Sequence, residues 1–195
     1  MAEAARLVVL ASGRGTNLQA LLDACAAGGL AARVVLVVSD QPSQALERAR
    51  GAGVPALFFP REKGVLREAY DRRLAAFVAA AEPDLVVLAG WMRILTPAFL
   101  DRFPGRVINL HPALPGAFPG LDAIRRSYEA FRRGEVKSGG VMVHHVVPEV
   151  DAGPVIVSEP VPVKPDDTLE RFEARVHAVE HRLLVEAVRR VLGTR

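Results

Sequence analysis

Residues 7–18 read Leu7-Val8-Val9-Leu10-Ala11-Ser12-Gly13-Arg14-Gly15-Thr16-Asn17-Leu18, and their reading decides the fold class. A short apolar run passes through two glycines directly into a helical pattern. Runs without polar alternation are what strands covered on both faces of a parallel sheet require. Residues 33–39 and 84–89 repeat the run, 56–59 after Pro55 gives a shorter one, and 106–110 follows Pro104-Gly105 with another. Between them apolar residues recur at helical spacing. Residues 17–26 place Leu18, Leu21, Leu22 and Cys25 on one stripe, 44–52 is short, and 65–81 align Leu66, Tyr70, Leu74, Phe77 and Val78. A βαβαβαβ alternation predicts an α/β chain with a doubly wound, Rossmann-like sheet.

The pattern changes after residue 110. Residues 111–120 are rich in Pro and Gly and read as a structured loop. Two β-rich runs, 140–147 and 155–163, flank the tip Glu149-Val150-Asp151-Ala152-Gly153-Pro154 and predict an antiparallel hairpin. Asp166-Asp167-Thr168 caps a closing helix over 169–192, with Phe172, Val176, Val179, Leu183, Leu184, Ala187 and Val191 on its inner stripe. The expected architecture is a mostly parallel sheet with a C-terminal antiparallel hairpin and a closing helix. No repeat or composition break marks a second domain within 1–195.

Composition narrows the function classes. The chain has 195 residues, half of them hydrophobic, with one cysteine and a formal net charge of +3. It is long enough to bury a core without staples, and a single thiol forms no internal disulfide. Cys25, in an alanine-rich stretch, reads as a small buried hydrophobe before it reads as a nucleophile. No secretory signal or membrane-length apolar run is visible, so a reducing cytoplasm and no membrane are expected. The positive charge comes from 22 arginines and 3 lysines against 22 carboxylates. The arginine pairs are short and interrupted by acids, unlike a nucleic-acid-binding arm.

Several motifs carry chemistry. Ser12-Gly13-Arg14-Gly15-Thr16-Asn17 joins a strand to a helix, and glycines there let backbone N–H groups converge on an anion at the helix N-terminus. The motif lacks the Lys of a nucleotide P-loop, and Leu18 replaces the third glycine of a dinucleotide fingerprint. Asp40, ending the second strand, keeps a ribose-binding reading open. Asn109 and His111 close a strand on the same side, at the sheet edge where such folds bind ligands, and can polarise a carbonyl and move a proton; a structural role is the alternative. Asp151 at the hairpin tip would raise the pKa of a neighbouring imidazole, or be a plain turn aspartate. His144 and His145 face opposite ways, so at most one points inward. His177-Ala178-Val179-Glu180-His181 matches a zinc-protease pattern, but without a third ligand a polar stripe beside a ligand site is preferred, and no metal is expected. Residues 90–97 could line a slot for a flat heterocycle, or simply pack.

Taken together, Gly13-Arg14-Gly15-Thr16-Asn17-Leu18-Gln19, Leu88-Ala89-Gly90-Trp91-Met92-Arg93-Ile94-Leu95, Asn109-Leu110-His111-Pro112 and Val150-Asp151-Ala152-Gly153-Pro154-Val155-Ile156 resemble the phosphoribosylglycinamide formyltransferases of purine synthesis. The resemblance covers nearly the whole chain. It implies a single formyltransferase domain, with a phosphate-binding half in 1–105 and a catalytic, folate-binding half in 106–195. It also implies formyl transfer from 10-formyltetrahydrofolate to glycinamide ribonucleotide, with small-molecule substrates, no nucleic acid, and a monomer or homodimer. By resemblance Asn109, His111 and Asp151 are catalytic, with His111 protonated and tuned by Asp151. Gly15, Thr16, Asn17 and Glu180 contact the ribonucleotide, and Arg67, Met92, Arg93, Ile94 and Leu95 the folate. The chain departs from the family pattern at Arg14, at Trp91 and in the loop Pro112-Ala113-Leu114-Pro115. The alternatives are a transfer-RNA formyltransferase or a formyltetrahydrofolate deformylase, which resemble longer chains, and a non-catalytic nucleotide-binding module using the phosphate loop alone.

Overall fold

A computed structural model describes residues 4–193. The elements run β1 (Ala5–Leu10), α1 (Thr16–Ala26), β2 (Ala32–Ser39), α2 (Gln44–Gly51), β3 (Ala56–Phe58), α3 (Arg67–Ala80), β4 (Leu85–Leu88), α4 (Pro97–Leu100), β5 (Val107–His111), α5 (Ala123–Arg132), β6 (Ser138–His145), β7 (Val155–Pro162) and α6 (Leu169–Gly193). The strand order is β3-β2-β1-β4-β5-β6-β7. The chain forms two compact units, Met1–Ile108 and Asn109–Arg195, and the division falls inside β5.

In the first unit β1 pairs parallel with β2 and β4, and β2 pairs parallel with β3. Leu7 to Leu10 of β1 are fully buried, and all four residues of β4 are buried. That is why the sequence shows no alternation there: both faces of these strands are covered, and every side chain must be apolar. Each parallel pairing needs a crossover, so the chain after every strand turns at the same sheet edge, and those loops and the first turns of α1 and α3 carry the candidate site residues of this unit.

In the second unit β6 and β7 pair antiparallel, from Ser138 opposite Pro162 to His144 opposite Val155, with a register shift between Val143 and His144. The α6 helix packs against both strands, and α5 against β6. The entry to α6 is fixed by Asp167, whose carboxylate accepts a bidentate pair of bonds from Arg175 at 2.7 and 2.8 Å and a third from the Lys164 N–H at 2.7 Å. The mostly parallel sheet, antiparallel hairpin and closing helix are therefore as the sequence predicts.

The helix stripes are corrected in detail. Leu66 and Phe77, expected inside, are 77% and 50% exposed, while Tyr70, Asp71, Leu74, Ala75 and Val78 are buried. The helix begins at Arg67, so Leu66 precedes its first turn, and Phe77 packs at the periphery edge-on to Phe59. In α6, Glu180 and Val188 are buried, while Val179 and Val191 are only partly covered. Cys25, expected as a small buried hydrophobe, is half-buried. The α5 helix is absent from the sequence expectation, although Ile124, Tyr128 and Phe131 recur at helical spacing beside the buried Ala123, Ser127 and Ala130. No helix among the described residues is long and apolar enough to cross a membrane.

These placements predict unequal costs along α3. Leu74→Ala should destabilise by about 2–5 kcal/mol through a core cavity, whereas Leu66→Ala should fall within about 0.5 kcal/mol of the parent. Urea denaturation of the two variants measures the difference.

Candidate active site

The second unit gathers four polar side chains, of which His111 and His144 are buried and Asn109 and Asp151 partly so. Strand alternation in β5 puts Asn109 and His111 on one side, and both meet the carboxylate of Asp151 from the tip after β6. The Asn109 Nδ2–H donates to Asp151 Oδ1 at 3.2 Å, and His111 Nδ1 lies 3.4 Å from Oδ2. The Gly120 N–H donates to Oδ2 at 2.8 Å. The side chains of His111 and Asp151 are only 5% and 11% exposed. Asp151 has φ 53°, in the left-handed region that Asp tolerates better than most side chains.

Sequence reading left His144 out of its site residues, yet it belongs to this cluster. Its side chain is 2% exposed, its Nδ1–H donates to the His145 carbonyl at 2.8 Å, and its Nε2 lies 3.6 Å from Asp151 Oδ1. That Nε2 also lies 3.2 Å from the Asn109 Nδ2. The signal was the His144-His145 pair on a strand beside Asp151, but sequence could not say which ring faces inward; the shift in β6 register settles it. Gly153 completes the arrangement, since a Cβ there would stand 1.8 Å from the His145 carbonyl oxygen.

The electrostatics correct one expectation. The pKa of His111 is lowered from its ordinary value, because burial outweighs the attraction of Asp151 and of the Phe118 carbonyl, which lies 3.2 Å from Nε2. The resting imidazole is therefore biased towards the neutral form, not held protonated. Both ring nitrogens nevertheless face acceptors, so an imidazolium formed during a reaction finds partners in place. For Asp151, burial raises the pKa, but the adjoining His144 ring, the Gly120 N–H and the His111 ring together outweigh it, leaving it below the usual carboxylate range. A cavity of about 380 Å³ opens beside this carboxylate, lined by Pro119, Met142, Val150, Asp151, Gly153 and Val155 among others.

In the first unit, Gly15 is the N-cap residue of α1 with φ 70°, and a Cβ there would lie 2.7 Å from the Ala45 backbone. Only glycine fits, and α1 starts without a side-chain cap, which leaves first-turn N–H groups for an anion. Thr16 and Asn17 form that first turn. Arg14 and Arg67 are exposed. Between β4 and α4, Met92 and Ile94 are 60% and 47% exposed, while Trp91 and Leu95 are buried. Arg93 Nε donates to Asp40 Oδ2 at 2.6 Å, so Asp40 is engaged by a cation of its own unit. Burial and the Asp40 carboxylate push the Tyr70 hydroxyl up to about 12, and it donates to the Phe59 carbonyl.

A family model described as formyl transferase matches residues 5–188. The chain belongs to the formyl transferase family. It is 41% identical to the phosphoribosylglycinamide formyltransferase of Dictyostelium discoideum over 94% of this chain and 96% of that protein. The enzyme of the same name from Escherichia coli strain K12 is 43% identical over 90% of this chain and 81% of that one. The crystal structure of glycinamide ribonucleotide transformylase 1 from Symbiobacterium toebii superposes with a TM-score of 0.90 at 45% identity, covering 97% of this chain and 88% of that one.

In this formyl transferase Glu180 is buried on α6, and its Oε2 lies 2.7 Å from His177 Nδ1. Among the described residues no group of three or more His, Cys, Asp or Glu could hold a metal ion, so the pattern at 177–181 assembles no such centre.

Burial of His111 sets a pH dependence. The folded ring binds its proton less tightly than the unfolded ring, so this residue's contribution to stability is intact above its ordinary value of 6.5 and is lost as pH falls below it. Thermal melts should show Tm falling below that pH, and His111→Asn should remove part of the fall. Gly153→Ala should disorder the tip and cost activity; unchanged formyl transfer would contradict the contact with His145.

Proposed function

We propose that this formyl transferase moves the formyl group of 10-formyltetrahydrofolate onto the amine of glycinamide ribonucleotide, a step of purine synthesis in the cytoplasm. The observation that carries the reading is the convergence of Asn109 and His111 on one carboxylate, 3.2 and 3.4 Å away. A non-catalytic nucleotide-binding module gives those three side chains no reason to meet. The relatives with this chemistry match along nearly their whole length.

In the proposed reaction the amine attacks the formyl carbon, the carbonyl oxygen takes up the electron pair, and the nitrogen becomes cationic. His111, neutral at rest, takes the proton from that nitrogen and passes it to the departing folate nitrogen as the old C–N bond breaks. Asp151 stabilises the imidazolium while it exists, and the Asn109 amide turns one N–H towards the oxyanion. The ribonucleotide phosphate sits on Gly15, Thr16 and Asn17, with Glu180 as a further contact. Met92, Arg93, Ile94, Leu95 and Arg67 serve the folate. No step needs a metal or a covalent enzyme intermediate.

The deciding assay compares glycinamide ribonucleotide, initiator transfer RNA and water as acceptors of the formyl group. Transfer to the ribonucleotide alone is expected; preference for either other acceptor overturns the reading. His111→Ala and Asp151→Asn should each lower kcat by about 10²–10⁴-fold. Ribonucleotide affinity by calorimetry should survive both changes, and Asn17→Ala should weaken that affinity instead.

A further inference from the structure

The segment between β4 and α4 is a short loop held by three buried side chains from three separate parts of the chain. Ser12, beyond β1, donates its N–H to the Gly90 carbonyl at 2.9 Å and accepts the Met92 N–H on Oγ at 3.0 Å. Asp40, beyond β2, accepts from Arg93 Nε at 2.6 Å. Asp71, on α3, accepts both the N–H and the hydroxyl of Thr96, each at 2.7 Å. All three anchors are at least nine-tenths buried. The loop nevertheless exposes two large apolar side chains, Met92 and Ile94.

Apolar side chains on a mobile loop would lose freedom on meeting a ligand, and a loop already tied avoids that cost. Of the anchors, Asp40 acts through a side chain at the centre of the exposed stretch. The Arg93 guanidinium lies between the Asp40 carboxylate and the Tyr70 ring, 5.7 Å from its centroid. Its Nε edge is committed to Asp40, whose Oδ1 is buried and has no hydrogen-bond partner among the described residues. Arg93 is thus held as a strut within its own unit and is poorly disposed to act as the main ligand for a carboxylate.

We propose that Asp40 is a positioning residue for the formyl donor: by gripping Arg93 it fixes the backbone and apolar side chains of the Met92–Ile94 stretch, against which the donor's flat ring binds. This rests on the reading of the donor as a folate. Arg93 then contributes through its pairing with Asp40, and the donor's carboxylates are met by another cation, for which the exposed Arg67 is suited.

Steady-state kinetics on the full chain test this with Asp40→Asn, Arg93→Met and the double variant. Asp40→Asn should raise the donor KM about tenfold while kcat and the ribonucleotide KM change less than about twofold, and the double variant should lose no more than either single change. The same loss should appear with a donor lacking its glutamate tail. An unchanged donor KM in Asp40→Asn overturns the proposal. So does additivity of the two changes, or an Arg93→Met loss that vanishes with the tail-less donor, which would make Arg93 a direct carboxylate ligand. Should Asp40→Asn fail to fold, Arg93→Met with both donors decides alone. Failure of the parent protein to use the folate donor would count against the functional reading, and is visible separately from any effect of Asp40.

Discussion

A carboxylate taken out of water must be compensated by donors, and the Asp151 side chain is compensated from three segments at once. The Asn109 amide comes from β5, the Gly120 N–H from the Pro/Gly-rich loop, and the histidine rings from β5 and β6. Removing the charge would take from all of them the one acceptor that they share. The hairpin tip can bring Asp151 there only because Gly153 lets the chain pass against the His145 carbonyl. Backbone, loop and side chains of this unit are in that sense organised around a single negative charge.

That charge does not leave His111 protonated. Desolvation costs the imidazolium more than Asp151 returns, so the ring between its two acceptors is biased towards the neutral form. Such a ring suits a reaction in which a proton must be collected and then surrendered. A permanently charged histidine would donate but could not first accept. The same burial that makes the ring a workable base also makes the fold sensitive to acid.

Buried carboxylates hold loops in the first unit too. Asp71 ties Thr96, and Asp40 ties Arg93, so a loop carrying exposed apolar side chains is fixed from below by ionic and charge-assisted bonds. The covered parallel strands make this possible. They supply rigid ends from which Ser12 and Asp40 project, while the loops above them are free to carry specificity.

The order of strands and helices was legible in the sequence because strands covered on both faces must be continuously apolar, and Leu7 to Leu10 and Leu85 to Leu88 are. Asn109, His111 and Asp151 were legible as candidates from their residue types at a strand end and a hairpin tip, and the phosphate loop from its two glycines. The α5 helix was legible too, since Ile124, Tyr128 and Phe131 recur at helical spacing. The place of His144, the capture of Arg93 by Asp40 and the lowered pKa of His111 were hidden. Each depends on contacts between residues distant in sequence and on how much water reaches them. Composition and spacing determined which groups were present and which edge of the sheet they reached. Only tertiary packing decided which atoms met and which form of each ionisable group was favoured, because desolvation and pairing exist only once the chain has closed around them.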